Sequence, residues 1–193
     1  MSKTKFIIFI TGLPASSKTT FSEFLSKKLR VLCINKNYVK EILSEFVGFA
    51  NRIENQKLST ATYQLMRHIA KNSMKIGVPI MLEKSFFDTD DAIYFSNAIK
   101  KYNYKAITVI FTGDRDVLYE RYQNRQKVRH HAHQSLEVTR EFFKNMPEGW
   151  EHFDMGGEKL VVDTTDFSKV CYEKIAVKIE AILPQVISCG YCK

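Results

Sequence analysis

Apolar positions along the chain come in short dense blocks, separated by longer stretches in which they recur every three or four residues. The dense blocks, rich in β-branched side chains, predict strands at Lys5–Thr11, Val31–Asn35, Val78–Glu83, Lys105–Phe111 and Lys159–Asp163. The spaced pattern predicts helices at about Lys18–Lys28, Tyr38–Phe46, Ala61–Ile76, Asp88–Lys101, Val117–Gln126 and Ser135–Lys144. A final helix is expected near Phe167–Leu183, stopping before Pro184. Strands apolar on both faces, each followed by a helix, describe a parallel sheet covered on both sides. The expected fold class is therefore α/β and three-layered, with a five-stranded, mainly parallel sheet and helices on both faces. No repeat or low-complexity linker breaks the alternation, so residues 1–193 read as one domain. Ligands of such sheets sit beyond the carboxyl ends of the strands. That directs attention to residues 12–19, 35–40, 83–88, 112–116 and 163–166.

The first of these turns carries a recognisable chemistry. After the apolar run Phe6–Ile10 come Gly12, Leu13, Pro14, Ala15, Ser16, Ser17, Lys18, Thr19 and Thr20, entering a helix with Phe21, Phe24, Leu25 and Leu29 on one face. This is the spacing of the nucleoside-triphosphate loop G-x-x-x-x-G-K-[ST] between a strand and a helix. Backbone N–H groups of Ala15 to Thr19 would converge on a polyphosphate at the positive end of the helix dipole. Lys18 would reach the β- and γ-phosphates, and the Thr19 hydroxyl would ligate Mg²⁺. The expected cofactors are ATP and Mg²⁺, in a P-loop NTPase fold. Ser17 stands where the second glycine belongs; it keeps the N–H but adds a side chain where backbone approaches phosphate, which predicts weakened affinity.

Composition narrows the setting. With 193 residues, 45% of them apolar, the chain can bury a substantial core. Phe6–Ile10 is too short to span a membrane and no cleavable signal precedes it. Four cysteines form no dense disulfide framework, so a reducing cytoplasm is expected. A formal net charge of +8 suits a polyanionic ligand, whether nucleotide, phosphorylated metabolite or nucleic acid, without choosing among them.

Three further segments combine with the loop. Ile34-Asn35-Lys36-Asn37-Tyr38-Val39-Lys40 follows the second strand, Glu83-Lys84-Ser85 ends the third, and Leu118–Arg125 begins a basic stretch after the fourth. In these segments the chain resembles the small P-loop kinases of the polynucleotide 5′-hydroxyl kinase and zeta-toxin-like group. The resemblance covers the whole chain in order and spacing, with few shared identities. It implies an ATP-dependent phosphotransferase acting on a hydroxyl of a small molecule, nucleoside or nucleic-acid 5′ end. In that group an aspartate after the second strand is the general base and an arginine three residues on holds the acceptor; Asn37 and Lys40 match these positions. Glu83 matches the acidic residue that helps organise Mg²⁺. Arg121 and Arg125 match a pair of lid arginines that stabilise the transferring phosphoryl group, within a helical lid at about 114–145. Arg129, His130 and His133 match an Arg-His-x-x-His segment in the lid of some relatives, which implies acceptor contacts.

Physical reasoning supports the lid independently. Arg121 and Arg125 at i, i+4 share a helical face, and phosphoryl transfer relies on positioning and charge compensation. A solvated helix with these arginines paired to Asp114, Asp116 and Glu120 is the plainer alternative. Three histidines in residues 130–133 have no nearby cysteine and no zinc-site spacing, so a lid or acceptor role is favoured over a metal, with a solvated loop still open. Cys189 and Cys192 have redox-motif spelling but no following helix to lower a thiol pKa, and read as tail. Trp150 and Phe153 read as packing residues, and the resemblance implies that Asp163-Thr164-Thr165 brings backbone near an adenine.

Asn37 cannot accept a proton at neutral pH, and Lys40 offers a point charge where arginine offers a fork. Either another carboxylate (Glu83, Glu41 or Asp88) serves the acceptor, or the loose transition state needs little base help, or the domain binds without transferring phosphate. The expected partners are a nucleoside triphosphate and a hydroxyl-bearing acceptor; nucleic acid stays possible, and oligomeric state is not readable.

Overall fold

The computed structural model describes residues 5–85, 89–133, 138–146 and 155–183. In chain order the elements are β1 (Phe6–Gly12), α1 (Lys18–Leu29), β2 (Cys33–Asn35), α2 (Lys36–Phe46), α3 (Arg52–Ile76), β3 (Ile80–Glu83), α4 (Thr89–Tyr102), β4 (Lys105–Thr112), α5 (Arg115–Gln126), α6 (Arg140–Lys144), β5 (Glu158–Asp163) and α7 (Tyr172–Ile182). The strands form one sheet in the order β2-β3-β1-β4-β5. Every pairing is parallel, so the mainly parallel expectation sharpens to wholly parallel among the described residues.

β1 is central because all seven of its residues are buried. Alternate side chains go to opposite faces. Ile7 and Phe9 pack with Met66, Ala70, Met74 and Phe95 of α3 and α4. Phe6, Ile8 and Ile10 pack with Phe21, Leu25, Ala176 and Ile179 of α1 and α7. A third cluster joins Leu13 of the loop to Ile110, Leu118, Tyr122 and Phe143, tying the phosphate-loop turn to α5 and α6.

Three boundaries differ from the sequence expectation. α3 begins at Arg52, not Ala61, because Asn51 caps it: its side-chain oxygen accepts from Glu54 N at 3.1 Å, while the Glu54 carboxylate accepts from Ala50 N at 2.6 Å. The buried stripe of this first half includes polar Asn55 and Thr62, which hid the helical period. The last helix is split into a 3₁₀ turn at Phe167–Lys169 and α7, with Val170 and Cys171 extended between them. Of the helix expected at Ser135–Lys144 only Arg140–Lys144 is helical among the described residues, started by Thr139, whose hydroxyl accepts from Phe142 N at 3.1 Å. Asp88, Trp150, Phe153, Cys189 and Cys192 lie outside the described residues.

Candidate functional site

The turn after β1 is shaped by close strand packing. Gly12 has φ +129°, and a Cβ there would lie 1.9 Å from the Phe111 carbonyl oxygen, so only glycine fits. Leu13 N then donates to that same carbonyl at 3.0 Å. Ala15 (φ 58°) and Ser17 (φ 65°) both take the left-handed conformation, which is strained for a residue with a side chain. Ser17 occupies the cap position of α1 without a side-chain cap hydrogen bond, and the first turn holds no acidic residue. A helix start left in this condition suits an anion.

Lys18 and Glu83 face this helix start. The Lys18 ammonium donates to Leu13 O at 2.5 Å, beside the Ser16 hydroxyl, which donates to the same carbonyl at 2.6 Å. Burial lowers Lys18 to about 8; Glu83 opposes the shift, and Arg125 and Arg129 add to it. Glu83 stands at the end of β3, in register with Ile10 and Asn35. Its carboxylate accepts from the hydroxyls of Thr19 and Ser22, each at 3.1 Å, and from the Asn35 amide. Burial pushes its pKa up, against the pull of Lys18 and these hydrogen bonds. Among the described residues no group of three or more His, Cys, Asp and Glu side chains could cage a metal. Thr19 and Glu83 nevertheless fit Mg²⁺, which takes few protein ligands and completes its shell with phosphate oxygens and water.

A cleft of about 560 Å³ opens over the loop, and its two flanks differ. On the β5 side, Arg121 donates to the carbonyls of Thr164 (2.5 Å) and Thr165 (2.8 Å), and its guanidinium lies 3.6 Å from the Phe167 ring centroid. The Thr165 hydroxyl accepts from Asp114 N at 2.8 Å, which locks this corner to the start of α5. Arg121 and Arg125 both line the cleft with the loop, and Arg121 is held by the Thr164 carbonyl just beyond the end of β5. The alternative pairing of the lid arginines with nearby acids is not what forms. Asp116 takes Arg140 and Lys144, Glu120 takes Arg140, and Asp114 caps α5.

On the α2–α3 side the cleft is walled by Lys36, Asn37, Tyr63 and Lys84. The Asn35 side chain caps α2 by accepting from Asn37 N (2.8 Å) and Tyr38 N (3.3 Å), which sets Asn37 at the cleft edge. Lys84 is buried, ion-paired with Asp91, and 3.9 Å from the Tyr63 ring centroid; Asp91 also takes Arg67. Glu23, hydrogen-bonded by the Tyr38 hydroxyl at 2.5 Å, is the other carboxylate besides Glu83 among the described lining residues.

The structure brings Arg129 into the cleft wall, but Lys40, His130 and His133 are not among the described residues that line it. Lys40 is buried and donates to Ala132 O at 2.9 Å, a carbonyl that Asn55 also reaches at 3.2 Å. His133 Nε2 lies 2.9 Å from Glu41, and His130 Nε2 lies 3.4 Å from Glu45. Burial, reinforced by Arg129, Lys36 and Lys40, lowers His133 to about 3 and leaves it neutral at pH 7. These expected acceptor ligands instead dock the 3₁₀ turn His131–His133 onto α2 and α3. Glu41, one alternative base, is occupied in the same dock.

Residues 7–151 match the family described as AAA domain. The chain belongs to the AAA domain family. Among solved structures, a candidate kinase from Chloroflexus aurantiacus J-10-fl superposes with TM-score 0.83 at 24% identity, over 94% of this chain and 100% of that one. Shikimate kinase from Bacteroides thetaiotaomicron gives 0.56 at 16% identity, covering 91% and 97%. Kti12 from Chaetomium thermophilum, solved with ADP-AlF3, gives 0.55 at 16%, covering 92% and 99%. At these identities the likeness establishes a shared fold. No helix among the described residues is long and apolar enough to cross a membrane.

Within this AAA-domain chain, sequence reasoning missed Glu23, Tyr63 and Phe167 as cleft residues, and gave no role to Lys36 and Lys84 within the segments it singled out. Lys36 and Lys84 had a usable signal, since each directly follows a strand end. Tyr63 and Glu23 sit inside helices, where only packing decides which turn faces the cleft.

Proposed function

We propose that this protein is a P-loop kinase that transfers the γ-phosphate of ATP, with Mg²⁺, to a hydroxyl of a small molecule, nucleoside or nucleic-acid 5′ end, in a reducing cytoplasm. The observation that carries this reading is the uncapped start of α1, with Lys18 beside it and Thr19 bonded to Glu83 at 3.1 Å. Its polyphosphate end is complete, and a second, polar flank lies alongside for an acceptor. The resemblance to polynucleotide 5′-hydroxyl and zeta-toxin-like kinases and the fold shared with shikimate kinase support the same reaction class.

When bound, ATP supplies the phosphoryl group and Mg²⁺ offsets its charge. The chain does the rest by position. The N–H groups of residues 15–19 and the Lys18 ammonium would hold the β- and γ-phosphates, and Thr19 and Glu83 would hold the ion. Arg121, stacked on Phe167, offers a flat cationic face to the nucleoside, a role other than the phosphoryl contact expected from sequence. Arg125 meets the charge that develops as the phosphoryl group moves. Asn37 hydrogen-bonds the acceptor hydroxyl and cannot take its proton, which a loose transition state tolerates. Calorimetry of ATP with Mg²⁺ tests the core: Lys18→Ala should weaken binding by about 10- to 100-fold, the range of a charge-assisted contact. Equal affinity in both proteins would end the proposal. The side chain at position 37 also favours a second reading, a nucleotide-binding module that has lost its base; absence of transfer to any acceptor, with ATP binding intact, would select it.

A further inference from the structure

Position 40 matches the residue expected to hold an acceptor, yet its side chain serves the segment that follows α5. Lys40 lies one turn after Asn37 on α2, is buried, and donates to Ala132 O at 2.9 Å. Asn55 of α3, also buried, donates to the same carbonyl at 3.2 Å. Burial, with Arg129 adding to it, lowers the Lys40 ammonium from its ordinary range. Burying a cation against a neutral carbonyl is costly, and two donors on one oxygen fix that oxygen from two directions. Two further contacts flank this strut: Glu41 takes His133 at 2.9 Å, and Phe49 stacks on His131 with ring centroids 5.4 Å apart.

The segment held in this way continues α5. Val128 N donates to Arg125 O at 3.2 Å, Arg129 N to Gln126 O at 3.4 Å, and His133 N to His130 O at 3.0 Å, so residues 125–133 run in successive turns from the helix to the strut. Arg125 and Arg129 belong to this run and line the cleft. Burial lowers Lys18 to about 8, and both arginines add to that shift, which places their charge beside the phosphate loop. Burial and Arg125 lower the Arg129 guanidinium; Tyr122 of α5 and Glu41 of α2 oppose the shift, Tyr122 also through a hydrogen bond and a ring 5.9 Å away. One helix, α2, thus sets Asn37 at the cleft edge and fastens the far end of the arginine-bearing segment. Resting on the kinase reading above, we propose that Lys40 and Asn55 are positioning residues: through the Ala132 carbonyl they hold residues 125–133 against α2 and α3, so that Arg125 and Arg129 stay in the cleft in fixed relation to Asn37. Neither Lys40 nor Asn55 touches the reacting atoms. Arg125 then meets the developing charge without a closing motion of its own segment.

The test titrates the full chain with two ligands: a non-hydrolysable ATP analogue with Mg²⁺, and ADP with Mg²⁺ and aluminium fluoride, a mimic of the transferring phosphoryl group. Lys40→Met should weaken the aluminium fluoride complex by about 10- to 100-fold, the scale of a misplaced catalytic group, with analogue affinity retained. Asn55→Leu should do the same, and the double variant should lose little more than either alone, because both side chains act on one carbonyl. Lys40→Arg should keep the tight complex. Hydrogen exchange of the ligand-free protein gives a readout independent of the chemistry: amides of residues 127–133 should exchange faster in Lys40→Met and Asn55→Leu, while those of β1 and α1 stay as they are. The proposal is overturned if exchange in 127–133 is unaltered, if the two losses add in full, or if Lys40→Met weakens both ligands equally. Should Lys40→Met fail to fold, Asn55→Leu decides by the same two measurements. Failure of the native protein to bind the ATP analogue would instead refute the kinase reading, and the exchange experiment would still decide whether Lys40 and Asn55 hold this segment.

Discussion

On the β5 flank of the cleft, Arg121 is gripped by two backbone carbonyls and an aromatic ring; on the α2–α3 flank, Lys36 and Asn37 stand with few partners of their own. The first flank is pre-organised by main chain, which any sequence with this fold supplies. The second depends on side chains, and it is where the chain departs from the kinases it resembles. A site of this kind can keep nucleotide chemistry constant while the acceptor changes. The dock formed by Lys40, Asn55, Glu41 and His133 belongs to the same logic, because it uses side chains expected to touch the acceptor to fasten residues 129–133 above the cleft.

The sharpest break in this comparison is at Asn37. If the flank needs only a carboxylate to match its relatives, Asn37→Asp should raise phosphotransfer by about 10²- to 10⁴-fold, the usual contribution of a general base. An unchanged rate in an active native enzyme would exclude position 37 as a base site, and Glu23→Gln would be the next variant to assay. Next in size are the two lid arginines. Arg125→Ala should lower kcat by about 10²- to 10³-fold with nucleotide affinity retained. Arg121→Ala, on the pre-organised flank, should chiefly raise the nucleotide KM. Identical kinetic signatures for the two would erase the division of labour.

The dock gives a pH signature. His133 is depressed to about 3 in the folded protein against an ordinary 6.5, so the unfolded chain binds the extra proton between those values. Stability should be fully present above about pH 6.5 and fall as pH drops toward 3. Chemical denaturation across that range should show a shallower acid limb in His133→Gln; a limb of the same slope would mean the dock is not what titrates. The smallest effect is at the loop itself. Ser17 pays for a left-handed backbone with φ 65°, so Ser17→Gly should stabilise the fold by about 0.5–1 kcal/mol and tighten ATP modestly. A melting temperature at or below that of the native protein would show that the serine side chain makes a compensating contact.

The strand and helix pattern, the phosphate loop and Glu83 were legible in the chain because each depends on neighbours in sequence: apolar period, a tight turn that only glycine fits, and a strand end. Asn51 and Glu54 show the limit of that reading, since a capping pair was present but the polar stripe residues Asn55 and Thr62 masked the helix it starts. Residue spacing put Arg121 and Arg125 on one helix face. Only the tertiary structure could send Arg121 to the carbonyls of Thr164 and Thr165, 43 and 44 residues away, because those acceptors exist only once β5 pairs with β4. The same holds for Lys40 and His133, whose partners come from the packing of residues 129–133 on α2 and α3. It holds too for Lys36, which meets the Tyr63 ring only because α2 and α3 pack together. Local sequence sets backbone conformation and burial; the balance of charge across a cleft is a sum over distant elements, and no one segment contains it.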